Sequence, residues 1–234
     1  MLARSVQNRL PIGIAIAVAV AVGTVSLRAA GISASLELSA APLAVLAIQL
    51  LLVGAIVTGF RHSVRVPAEL RARWLFHLVR PANQAAYLAG AKRAAIVKLV
   101  VPMLVALLPL HVLAFGGRTA TMHFIYGLLV ALVLSEAFLC AYPRLPFASS
   151  YVPAMRITTY GPIYAFIFLA CVYAVAWIER LSLSTTRGTV TLFGITVVVF
   201  VIIRGIDAWQ RRDRVEGELD ELVDPPTLRL DLTN

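Results

Sequence analysis

Charge is scarce in this chain: 14% of its residues are Asp, Glu, Lys or Arg, where a soluble domain carries about a quarter. With 60% of the residues hydrophobic, the polar surface is too small to cover a water-soluble globule, and that fold class is excluded. Acids are scarcer than bases, 12 against 21, which leaves a formal net charge of +9. The excess does not point to nucleic acid, because the basic residues cluster beside apolar runs of spanning length rather than over a polar fold. Orientation in a bilayer and contact with anionic lipid account for it better. Cys140 and Cys171 are the only cysteines, and both lie inside apolar runs, so no disulfide framework is implied. Walker, GxSxG, HExxH and CxxC motifs are absent, as is any glycine-rich loop built to cradle phosphate before a helix. These absences lead to a non-enzymatic protein without a cofactor, one that does not hydrolyse nucleotide by itself.

What the chain does have is apolar length. Six runs, 10–27, 41–60, 95–115, 120–142, 162–178 and 189–206, read as transmembrane helices. The first exceeds the ~7 to 15 residues of a signal-peptide core, so it is expected to stay as a helix. Its IAIAVAVAV alternation is no strand signal, because both alternating residues are apolar and an open strand leaves its backbone unsatisfied in lipid. Small Ala and Gly residues make this helix thin and suited to packing against protein. Pro42 opens the second run; Pro102 and Pro109 are expected to kink the third. The GGRT turn at 116–119 makes the third and fourth helices antiparallel neighbours.

The segment 61–94 is the long basic interruption, with Arg61, Arg65, Arg71, Arg73, Arg80, Lys92 and Arg93 against the single acid Glu69. Inside it Pro67 opens a helix that Pro81 ends, with Glu69, Arg73, His77 and Arg80 along one stripe. Such a helix is expected to lie at the cytoplasmic headgroups with that stripe wet. A polar connection covers 143–161 and the sixth run gives way to a charged tail. In that tail Val215, Leu219, Leu222 and Val223 recur at helical spacing before Pro225 and Pro226, and TLRLDL alternates like a short strand. The domain division is thus a six-span unit over 1–206, including 61–94, and a cytoplasmic tail over 207–234. Placing both termini in the cytoplasm puts sixteen basic residues inside and four (Arg28, Arg118, Arg180 and Arg187) outside, the distribution the positive-inside rule requires. The expected location is the bacterial inner membrane.

Ionisable residues within the runs are the candidate site. Lys98 and Glu136 fall at similar depth on antiparallel neighbours, and a charge within a span costs ~2.5 to 3.5 kcal/mol, so a pair is expected. It reads either as a structural ion pair, with Lys98 able to snorkel, or as a proton- or substrate-linked carboxylate. His111 and His123 are expected to meet near the outer face, but two imidazoles fall short of the three or four ligands of a zinc site. Ser149, Ser150, Tyr151, Thr158 and Thr159 form a polar cytoplasmic stretch, either a solvated linker or a holder for lipid phosphate.

The phrases VPAELRARWLF (66–76), YLAGAKRA (87–94) and LPFASSYVP (145–153) resemble phrases that recur in bacterial multi-spanning membrane proteins. The topology is similar to that of the permease subunits of ABC-2 type exporters, which have six spans, internal termini and an amphipathic cytoplasmic helix between spans two and three. That resemblance implies a permease-like transport component coupled to a separate ATPase, with Arg71, Arg73, His77 and Arg80 at the docking surface. ERLSLSTTRG (179–188) is briefer than the outer hairpin usual in that family. The alternative is a non-transporting scaffold or assembly subunit, and an intramembrane enzyme stands third. Either leading reading allows homo- or hetero-oligomers.

Overall fold

A computed structural model describes residues 6–29, 42–65, 84–140 and 157–223, with side chains over 10–28, 43–64, 88–140 and 163–210. Every element among them is helical. Helix α1 spans Val6–Ala29 and α2 spans Pro42–Arg65; α3 is one rod made of Gln84–Ala95, a π-helical turn at Ile96–Val100, and Val101–Phe115. Helices α4, α5 and α6 follow as Gly117–Leu139, Ile157–Leu183 and Thr186–Val223. Six stretches are long and apolar enough to cross a membrane, one in each helix. The amphipathic helix expected over Pro67–Arg80, with Arg71, Arg73, His77 and Arg80, lies outside the described residues.

Helix α2 is the hub of the bundle. Its spanning stretch is 83% buried against 6% for that of α6, because α1, α3, α4 and α5 all pack on it. Lipid tails are as apolar as leucine, so this assembly depends on close packing rather than on escape from water. Gly59 shows how close: a Cβ there would lie 2.8 Å from the Ile12 Cα and 3.1 Å from the Pro11 carbonyl. The thin Ala- and Gly-rich α1 accordingly lies antiparallel on α2. Core layers follow the bundle axis, from Leu46, Leu50 and Ala176 at one end, through Val53, Ile56 and Leu104, to Phe60, Leu88 and Leu139 at the other.

Two very short links define what is called here the turn end. Gly116, with φ of 79°, alone separates α3 from α4, and its N–H donates to Val112 O at 2.9 Å. Only glycine takes that backbone freely. Ser184 and Thr185 separate α5 from α6, and Thr185 caps α6 by accepting the Gly188 N–H on Oγ1 at 3.1 Å.

The third helix starts at Gln84, so the Ala-rich stretch 84–94 runs on into the apolar run, and it contains the π-helical turn, where the Val101 N–H reaches the Ile96 carbonyl five residues back. Pro102 lies directly beyond that turn. Its ring crowds the carbonyl four residues back, that of Lys98, and has no N–H to offer it, so widening the preceding turn relieves the clash without breaking the rod. Helix α5 begins at Ile157, so Thr158 and Thr159 lie in its first turn rather than in a loop, and it runs on past Ile178 to Leu183. The helical spacing read in the tail is present: α6 continues unbroken from the sixth span to Val223, just before Pro225 and Pro226.

Candidate functional site

The buried face of α4 carries ionisable residues toward both of its ends: His123 near the turn end and Glu136 near the other. They stand thirteen positions apart along the helix, roughly 20 Å at the usual rise.

At the turn end, five helices contribute. His123 Nδ1 lies 2.5 Å from Glu179 Oε1 of α5, and both side chains are fully buried. From α3, His111 meets the His123 ring edge-on at 4.7 Å between centroids. It stacks on Phe115 and points Nε2 at the Val45 carbonyl of α2 at 3.4 Å. Gln49 of α2 donates its amide to the His123 carbonyl at 2.7 Å. Gly127, one turn further along α4, makes that reach available: a Cβ there would lie 3.1 Å from Gln49 Cδ and 3.2 Å from Leu104 Cδ2. Tyr126 completes the group, its buried ring tilted against Phe193 of α6 at 6.0 Å between centroids. Two polar atoms, His123 Nε2 and Glu179 Oε2, are buried without a hydrogen-bond partner. Such atoms are rare in native interiors, because each forfeits its hydration with nothing in return.

Above this group, at the molecular surface, opens a cleft of about 400 Å³ lined by Arg118, Met122, Leu183, Ser184, Thr185 and Thr189 among others. Met122 precedes His123 in sequence and Leu183 lies one turn beyond Glu179. Phe193, which also lines the cleft, packs its ring against Tyr126.

At the opposite end Glu136 accepts from Lys92 Nζ at 2.6 Å, with both side chains largely buried. The Arg204 guanidinium approaches its other oxygen at 3.5 Å, but that arginine is 64% exposed. Asp207 is buried nearby on α6 and Cys140 points Sγ at Gln210 Oε1 at 3.9 Å. The pairing expected between Lys98 and Glu136 is corrected here: the partner is Lys92, and Lys98 is exposed. The cause is the π-helical turn, whose extra residue rotates everything N-terminal to it by about 100° relative to an unbroken α-helix. Lys98 lies within that turn, and Lys92 comes round to face α4.

The expected meeting of His111 and His123 is present in the structure, and the carboxylate that joins them is one that sequence reasoning assigned to a loop. Glu179 stands just past the apolar run, where an acid ordinarily marks the interface. Its spacing carried the signal, because Val172, Ala176 and Glu179 are all buried and fall at i, i+4 and i+7 on one face. Gln49, a lone amide in a long apolar run, was the other overlooked signal. Among the described residues no cluster of three or more His, Cys, Asp or Glu has metal-binding geometry. Comparison of the chain with protein-family models, curated proteins and solved structures finds no match.

Proposed function

We propose that this protein is a permease-like transport component of a bacterial inner membrane, working with a separate energy-coupling subunit. The observation that carries this reading is the pair of ionisable stations on the buried face of α4, His123 with Glu179 at one depth and Glu136 with Lys92 at another. An ionised side chain within a span costs ~2.5 to 3.5 kcal/mol and marks a solute or ion path by default. A scaffold needs apolar packing and gains nothing from two such stations.

In this reading the sixteen-to-four distribution of basic residues sets the turn end outward and both termini in the cytoplasm. Arg93 and Arg204, exposed at the opposite end, then meet anionic headgroups. Helix α6 has 38 residues, about 57 Å of rod against a hydrocarbon core of ~30 Å, so its far end extends past the membrane. That extension and the basic segment 61–94, through Arg71, Arg73, His77 and Arg80, form the surface on which an ATPase subunit docks. A scaffold is the second reading, favoured by the spanning stretch of α6, whose Val190, Ile195, Val198 and Ile202 are exposed and would suit partner helices as well as lipid.

Purification from native membranes in mild detergent tests the choice. Transport predicts a nucleotide-binding subunit that stays attached and detaches when Arg71, Arg73 and Arg80 are changed together to Gln. A large complex containing no ATPase transfers the protein to the scaffold reading.

A further inference from the structure

His123 and Glu179 hold each other, yet each keeps one polar atom idle. With Glu179 Oε1 and His123 Nδ1 sharing one hydrogen bond, the imidazole Nε2 and the carboxylate Oε2 remain, both buried and both without a partner. These are the two atoms on which such a pair takes a further proton. With one proton between them the pair carries a net charge of −1; with a second, on Nε2 or Oε2, it is neutral. The two states differ by a whole charge in a setting where charge is expensive.

From α2 the neighbours are Gln49 and, beside His111, the Val45 carbonyl, from α3 His111, and from α4 and α6 the packed rings of Tyr126 and Phe193. No lysine, arginine or aspartate forms an ion pair with Glu179 among the described residues, in contrast to Glu136, which has Lys92 and Arg204. At the Glu136 station a cation stands against each carboxylate oxygen. The His123–Glu179 pair instead has an unpartnered polar atom on each side, and the same end of the bundle carries a hydroxyl-lined cleft that includes Met122, the neighbour of His123 in sequence.

We propose that His123 and Glu179 form a proton-binding site within the bundle, which exchanges a single proton with the turn-end solution through the cleft bounded by Arg118, Met122 and Ser184. The site goes beyond the transport reading and does not depend on it. A scaffold with the same pair would bind the proton equally well.

Infrared difference spectroscopy on the whole chain in lipid nanodiscs, recorded between acidic and alkaline buffer, reads the site directly. Wild-type protein is expected to show a one-proton transition in carboxyl and imidazole bands. Glu179→Gln and His123→Gln are each expected to remove it, and Glu136→Gln to leave it in place. Glu179→Asp keeps both groups and is expected to retain the transition with a displaced midpoint. Circular dichroism and gel filtration select variants that remain folded. A transition unchanged in folded Glu179→Gln would overturn the proposal, as would its absence from wild-type protein. Neither result bears on whether an ATPase co-purifies, so the two readings fail separately.

Discussion

Glu136 illustrates how much one backbone irregularity decides. The carboxylate was identifiable from its place in a run of apolar residues, but its partner was not, because nothing in a helical wheel announces the π-helical turn at Ile96–Val100. Removing one member of a largely buried ion pair strands the other. Glu136→Gln and Lys92→Gln are therefore each expected to lower stability by about 3 kcal/mol. Lys98→Gln is expected to change it by less than about 0.5 kcal/mol, since that side chain is exposed. Replacing the pair jointly, Lys92→Met with Glu136→Leu, is expected to recover most of the loss, because two apolar groups remove both desolvation penalties together. Thermal unfolding of the purified variants in detergent measures all four. If Lys98→Gln proved as damaging as Lys92→Gln, the assigned pairing would be wrong.

Elements were legible where composition and turn chemistry agreed. Six apolar runs predicted six helices, and the GGRT sequence fixed α3 and α4 as neighbours, which brought His111 to His123 correctly. Ends were less legible: α5 runs through Glu179 to Leu183 and α6 starts almost at once, because Thr185 caps it within a link that hydropathy alone spreads over ten residues. Thr185→Ala is expected to cost ~1 kcal/mol through loss of that cap, and Thr185→Ser to cost little, as thermal unfolding would show. The contact between α1 and α2 gives a second test at this scale. Gly59→Val forces side-chain atoms into the Ile12 backbone and is expected to destabilise by about 1 to 3 kcal/mol. Gly13→Ala, on the same helix pair but with open space around it, is expected to be neutral or mildly stabilising. Equal losses at both positions would mean that α1 is not seated on α2 in this register.

At the scale of the whole molecule, the bundle is a central α2 wrapped by helices that carry polar stations at two depths, with short turns at one end and basic residues concentrated at the other. The overlooked members of the turn-end site, Glu179 and Gln49, were hidden for the same reason: each is a single polar residue whose meaning depends on which helices surround it. Sequence supplied the depths of Glu136, His111 and His123, and packing of the helices supplied their partners. Transport and proton binding both presuppose that the helices cross the bilayer with the two turns on the same side.

Site-directed cysteine labelling in intact cells tests that arrangement most directly. In a background with Cys140 and Cys171 changed to Ser, single cysteines are placed at Arg118 and Ser184 in the turns and at Arg93 and Gln210 toward the other end. A membrane-impermeant maleimide is expected to label the two turn positions in intact cells, and to reach Arg93→Cys and Gln210→Cys only after the membrane is permeabilised. Labelling of Arg118→Cys and Ser184→Cys from opposite sides of the membrane, or of Arg93→Cys in intact cells, would contradict the account.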